Sequence, residues 1–373
     1  MLEVADILRA AGPEYRRVNA TRLSLSQRKA MRDIEECRTA ALGGHLQACE
    51  YCEARRYSYH SCRNRHCPKC HGEQTRRWLD TQRSRLLPVP YFLLTFTLPA
   101  ELRPLARSHP KAVYAILMTA AAAALTKLTA DPQFLGGRPG MMAVLHTRTR
   151  AMLFHPHVHF LVTAGGLSSD RRRWLSPKNP RFLVPGYALG VIFRAKVRHA
   201  LASKGLLNGV PDSAWSRDKK WVVHLRHAGT GEKVLEYLAR YVFRIAMTNS
   251  RLEYFDGRDV RFRYRDNRSG QTRQCTLPAA SFIERFLQHV LPRGFTKVRY
   301  YGVYSPSRKA DLQHVRDLLA STPTPTAPPP PTISSAESTA DGSTDLSPSQ
   351  RCPVCRIGRL RVIETLPRNR RPP

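Results

Sequence analysis

Six cysteines fall within 34 residues, at Cys37, Cys49, Cys52, Cys62, Cys67 and Cys70. So many thiols in so short a stretch leave little apolar material for a core, and the chain there must be organised by metal or by disulfides. Cys49-x-x-Cys52 and Cys67-x-x-Cys70 are two knuckles with fourteen residues between them. Each turns the chain so that two thiolates face one point, and two knuckles complete a tetrahedral zinc site. Cys37, His45, Cys62 and His66 add four donors, making eight, enough for one or two structural zinc ions. His60 and His71 compete for the histidine places, and His66 stands directly before Cys67. A thiolate-rich site is normally closed to water, so the expected role is structural. Arg55, Arg56, Arg63, Arg65, Lys69, Arg76 and Arg77 surround the cysteines and suit the module to gripping phosphates. Cys352 and Cys355 form half of a further knuckle and are candidates for an extra zinc site, with no second pair near them in sequence.

The rest of the composition points to the partner. The chain has 61 basic against 28 acidic residues, a net charge of +33, and a field of that sign attracts nucleic acid. The first sixteen residues lack the apolar core of a secretory signal. The longest apolar run, 112–125, is mostly alanine and too short to span a bilayer, which suits a buried helix. The expectation is a cytoplasmic, nucleoid-associated protein with no membrane partner, whose cysteines bind metal instead of pairing as disulfides.

Five regions follow from the pattern. Residues 1–36 are a helical lead-in, 37–75 the zinc module, 76–310 a catalytic body, 311–348 a linker, and 349–373 a basic tail. The linker is Ser, Thr, Pro and Ala-rich from 321 on, a composition that cannot bury enough surface to fold. In the body, 91–98, 141–147, 157–163, 221–226 and 296–304 read as strands, and 260–265 with 272–277 as a hairpin. Helices are expected near 187–203, 232–245 and 279–290. Helices interleaved with hairpins predict an α+β fold with a largely antiparallel sheet and flanking helices.

Two elements of the body carry chemistry. His157 and His159 are alternate residues of one strand and share a face, while Val158 and Phe160 point to the other. Two imidazoles so placed can share a divalent ion, and His146 stands eleven residues before His157 on the preceding strand, where it can join as a third ligand. His155 is also near, behind Pro156. Nitrogen ligands with open positions let Mg²⁺ or Mn²⁺ touch a phosphate oxygen. On the helix 232–245, Val234, Leu235, Leu238, Val242 and Ile245 form an apolar stripe. Tyr237 and Tyr241 are neighbours on its edge, and Arg240 and Arg244, able to bind DNA phosphate, lie just beyond. The two hydroxyls stand about 6 Å apart along the axis. No GxxxxGK[ST] phosphate loop is present.

The runs Cys37–Arg–Thr–Ala–Ala–Leu–Gly–Gly–His45 and Ser61–Cys–Arg–Asn–Arg–His–Cys–Pro–Lys–Cys70 resemble the zinc-binding start of bacterial rolling-circle transposases, the HUH-class insertion-sequence enzymes of the ninety-one type. His155–Pro–His–Val–His159, Tyr237–Leu–Ala–Arg–Tyr241 and Leu291–Pro–Arg–Gly–Phe295 are similar to further motifs of that family in the same order. The likeness runs from about residue 30 to 305 and recurs over 352–365. It implies a nuclease fold with a central antiparallel sheet, with His157 and His159 as metal ligands, His146 as the third, and Tyr237 and Tyr241 as nucleophiles. It also implies a 5′-phosphotyrosine link to single-stranded DNA at element ends, then transfer to target DNA. A plasmid replication initiator or relaxase using the same chemistry is an alternative, as is a non-catalytic zinc-containing DNA-binding protein. The oligomeric state and the order in which the tyrosines act are not written in the sequence.

Overall fold

The computed structural model describes residues 1–70, 72–242, 246–266, 269–321 and 351–369. They form two compact units, Met1–Glu35 with Arg63–Ser321, and Glu36–Cys62 with the carboxy-terminal residues.

The first unit is built on a five-stranded sheet of β1 (Tyr91–Thr97), β2 (Gly140–Arg148), β3 (Phe154–Thr163), β4 (Val223–His227) and β5 (Val298–Gly302). The order across the sheet is β5-β2-β3-β1-β4, and every pairing is antiparallel. Side chains alternate between faces along a strand, and the two faces are covered differently. Phe92, Leu94, Phe96, Ala143, Leu145, Val158, Phe160 and Val162 enter one core, closed by helices Pro110–Thr129 and Gly186–Ala202. Pro110–Thr129 has the length and apolar character of a membrane span, yet two-thirds of that span is buried. Ala121 and Ala124 are fully buried in it.

Tyr91, Leu93, Met142, Val144 and Leu161 enter the other core. Helix Glu232–Val242 covers it with Val234, Leu235, Leu238 and Val242, and Val315 of helix Lys309–Ser321 joins them. Residues 146, 157 and 159 have the parity of this second face. The tyrosine helix therefore packs on the face that carries the histidines.

The lead-in is two helices, Val4–Val18 and Leu25–Glu35, tied by Arg16 to Glu35 at 2.6 Å. Val4–Val18 also packs on helix Ala279–Leu287. The hairpin Asp259–Arg265 with Thr272–Pro278 gains a third strand, Leu252–Phe255. In the second unit, strand Gly44–Cys49 lies between Arg55–Tyr59 and Leu360–Leu366, again antiparallel on both sides.

Three boundaries differ from the sequence expectation. The linker does not begin at 311, because helix Lys309–Ser321 buries Asp311 and Val315; Asp311 pairs with Arg171 at 2.9 Å and Arg308 at 3.0 Å. Residues 322–348 of the expected linker lie outside the described residues. The zinc module does not end at 75, nor is the tail separate from it. Residues 36–62 take the strand Leu360–Leu366 into their sheet, while Arg65 belongs to the first unit and donates to the carbonyls of Phe295 at 2.6 Å and Pro292 at 2.8 Å.

Phe160 is fully buried and meets Phe96 edge to face at 5.5 Å. Phe160→Ala is expected to cost about 3–5 kcal/mol, read as a lowered midpoint in chemical denaturation. A loss below about 1 kcal/mol would mean that this face is not the main core.

Candidate metal centres and the tyrosine helix

β2 and β3 pair so that His146 lies opposite His157 and Val144 opposite His159. The ring centroids of His146 stand 5.1 Å from His157 and 4.3 Å from His159, and those of His157 and His159 are 4.9 Å apart. One nitrogen from each of the three rings falls within 4.8 Å of the others. His146 and His159 are buried and His157 partly so.

Hydrogen bonds fix which nitrogens face that point. His157 Nδ1 stands 2.7 Å from the carbonyl of His155. A carbonyl only accepts, so Nδ1 carries the proton and Nε2 keeps its lone pair. His159 Nδ1 is held by the Thr95 hydroxyl at 2.8 Å, and Thr95 lies directly opposite His159 on β1. Burial pulls the His157 imidazolium down to about 4 and that of His159 to about 3, with neighbouring histidines adding to the effect. His146 is pushed well below its ordinary value by the same burial. All three are thus neutral at pH 7, the form that ligates metal. Three imidazoles converging with no acidic ligand among them fit a divalent cation with positions left open. His155 is not in this group, because its Nδ1 accepts from Arg103 at 3.0 Å.

The Tyr237 ring stands edge-on to His159, 6.2 Å between centroids. Tyr237 is partly buried at the margin of the second core. Tyr241 lies one turn further along the same helix, but its side chain and that of Arg240 fall outside the description, and Arg244 lies outside the described residues.

Four neighbours carried no motif in the sequence. Thr95 is one. His224 is another: β4 places it opposite Thr95, so it shares the histidine face, and Arg226 follows on that face. Both are exposed. The fourth is Lys297, whose Nζ donates to the carbonyl of Val242 at the end of the tyrosine helix, at 3.4 Å. Burial brings the Lys297 ammonium down to about 7. Strand alternation could have pointed to Thr95; His224 and Arg226 needed the strand pairing itself.

The cysteines group differently from the sequence expectation. Cys49 and Cys52 do not share a cluster with Cys67 and Cys70 but converge with Cys352 and Cys355. The reason is the pairing of Gly44–Cys49 with Leu360–Leu366, which brings the tail knuckle across from the first one. Cys49 Sγ lies 3.7 Å from Cys355 Sγ, and Cys52 Sγ 3.7 Å from Cys352 Sγ. A tetrahedron with Zn–S bonds of about 2.3 Å puts its sulfurs about 3.8 Å apart, so the four thiols fit zinc. The N–H of Tyr51 donates to Cys49 Sγ at 3.4 Å and that of Gly358 to Cys355 Sγ at 3.3 Å. Backbone donors at Gly358 and Ile357 pull the Cys355 thiol down to about 6, toward the thiolate that metal needs. Gly358 is required there, because a Cβ would stand 2.4 Å from Cys49 Sγ.

Neither expected histidine belongs to this four-thiol group. His45 meets His60 edge-on at 4.9 Å. His66, in the first unit, accepts the backbone N–H of Leu291 on its Nε2 at 3.4 Å. Of the remaining thiols, Cys37 and Cys62 belong to the second unit and Cys67 and Cys70 to the first.

Residues 7–98 match the transposase zinc-binding domain and residues 140–311 match a putative transposase family. The class is therefore a transposase with an amino-terminal zinc-binding domain. The putative transposase y4qJ of Sinorhizobium fredii (strain NBRC 101917 / NGR234) is 38% identical over 383 residues, covering 97% of this chain and 95% of that one. The transposase for insertion sequence element IS801 of Pseudomonas savastanoi pv. phaseolicola is 31% identical over 309 residues, covering 74% and 72%. This chain belongs to the IS91-type transposases. No solved structure matches it.

Cys352→Ser, Cys355→Ser and the pair are each expected to lower bound zinc by one ion per chain, measured by elemental mass spectrometry. Adding Cys49→Ser should remove no more. Undiminished zinc in Cys352→Ser would break the pairing of tail and module.

Proposed function

We propose that this transposase cuts one DNA strand at an element end through a tyrosine, in rolling-circle-type transposition. The observation that carries the reading is the Tyr237 ring set 6.2 Å from His159, on the face where three neutral imidazoles converge. The attacking phenol oxygen forms a bond to phosphorus, and the bond from phosphorus to the 3′ oxygen breaks. The strand is left as a 5′-phosphotyrosine, and the 3′ oxygen leaves and takes up a proton as a free hydroxyl. Because the phosphodiester is conserved in the protein link, rejoining to target DNA needs no nucleotide hydrolysis.

His146, His157 and His159 are the residues that would hold Mg²⁺ or Mn²⁺, which when bound offsets charge growing on the phosphate oxygens. Thr95 orients His159, and the carbonyl of His155 sets the tautomer of His157. A phenol with an ordinary pKa near 10 is mostly protonated at neutral pH, so cationic surroundings matter. His224 and Arg226 on the same face are suited to hold the phosphates of a single strand, a role that the sequence reading also gives to Arg240 and Arg244. Tyr241, one turn from Tyr237, serves a second strand while the first stays attached.

The zinc module is structural in this reading. Cys49, Cys52, Cys352 and Cys355 take one ion. The protein would act in the cytoplasm on nucleoid DNA.

The test is a denaturing gel of the protein with labelled single-stranded element-end DNA and Mn²⁺. A metal-dependent covalent adduct is expected, and Tyr237→Phe with Tyr241→Phe should lower it by about a thousandfold or more. An adduct that survives in the double variant rules out these nucleophiles, and no adduct or nick from the parent chain favours a binding protein. Thr95→Val should raise the Mn²⁺ concentration for half-maximal adduct about 10–100-fold; an unchanged requirement would remove Thr95 from the site.

A further inference from the structure

We infer that the sheet of the second unit binds unpaired DNA bases by stacking them on Tyr57 and Tyr59, a reading that rests on the single-stranded substrate proposed above. Alternation along Arg55–Tyr59 puts Arg55, Tyr57 and Tyr59 on one face. The Tyr57 and Tyr59 rings are almost parallel, tilted by 8° with centroids 6.0 Å apart. Tyr57 is 58% exposed, and Arg55 and Arg56 are exposed beside it.

Large aromatic side chains are usually spent on a core. Here they stand on an outer strand of a sheet whose order is fixed from the other side by Cys49, Cys52, Cys352 and Cys355. Gly44 lies opposite Tyr59 and Leu46 opposite Tyr57, so the neighbouring strand brings no bulky side chain over the Tyr59 ring. Tyr57 is exposed and Tyr59 half-buried, so this pair of parallel rings flanked by guanidiniums offers bases a π-face and phosphates a cation. That combination recognises single strands in a sequence-tolerant way. A duplex hides its base faces in the stack, and a net charge of +33 favours a polyanion over a protein surface.

The experiment is fluorescence anisotropy on the full chain carrying Tyr237→Phe and Tyr241→Phe, so that no covalent adduct interferes. The probes are a short mixed-sequence DNA strand, the same strand with abasic sugars, and its duplex, all at one salt concentration. Tyr57→Ala and Tyr59→Ala are each expected to weaken single-strand binding about tenfold. Phenylalanine at both positions should restore it, and the abasic strand should bind weakly to every variant alike. Zinc content reports folding. Should the alanine pair lose zinc, leucine at both positions keeps apolar bulk without a ring face and is expected to bind as weakly. Parent-like binding by the alanine or leucine pair overturns the inference, as does an equal loss on the abasic strand or the duplex. Anisotropy requires no cutting, so a chain that never forms the adduct would sink the tyrosine reading and leave this one standing.

Discussion

Three imidazoles that share a dry sheet face cannot take up protons without leaving positive charges a few ångströms apart in a medium that solvates them poorly. That constraint keeps His146, His157 and His159 neutral with lone pairs directed at one point, and the surrounding structure is arranged to sustain it. Antiparallel register puts His146 opposite His157. Thr95, across the next strand, holds His159 from behind. The helix Glu232–Val242 supplies Val234, Leu235 and Leu238 to the same core. Sliding β3 by one residue against its neighbours would turn all its side chains over and scatter the group. Phe160 and Val158, packed on the opposite face, oppose that slip, so the apolar core on one side defines the polar site on the other.

The second unit answers a different problem. Among its described residues one buried apolar cluster is Cys49, Cys352 and Leu360, with Ala54 and Cys355 packed against it. Leu42 and Leu46 are the further aliphatic side chains buried among its described residues, a small core, and small units of this kind depend on a bound ion for their fold. Four thiols that can hold a metal offset so small a core, and Tyr57 is left exposed on the outer strand.

Much of this was legible in the sequence, for reasons that differ by residue. The strands of the central sheet announce themselves through apolar runs such as 91–98, and the alternation of His157 with Val158 and Phe160 assigns faces without any structure. The tyrosine helix is marked by its apolar stripe. The cysteine pairing was not legible, because a knuckle specifies two ligands and a turn but not which other knuckle completes the site. Proximity in sequence favours Cys67 and Cys70 for Cys49 and Cys52, and a β-ladder formed over 300 residues away decides otherwise. Thr95, His224 and Lys297 escaped for a related reason: their neighbours are set by strand order and helix docking, which local patterns do not encode. The helix Lys309–Ser321 carries a weak signal, because Lys309, Gln313 and Asp317 are exposed and only Asp311 and Val315 are buried.

Bringing Cys352 and Cys355 to Cys49 and Cys52 has an energetic consequence. Closing a loop of the size that separates Cys52 from Cys352 costs about 5 kcal/mol of chain entropy in an unfolded reference state. Structural zinc binding to four thiolates is worth about 10–16 kcal/mol at neutral pH, so the ion wins by a margin that the strand pairing of Leu360–Leu366 with Gly44–Cys49 only increases. A chain that lacks its tail therefore retains Cys49 and Cys52 as two thiols without partners from that knuckle, in a sheet short of one strand. The sheet that carries Tyr57 and Tyr59 has its three strands only when Leu360–Leu366 is present.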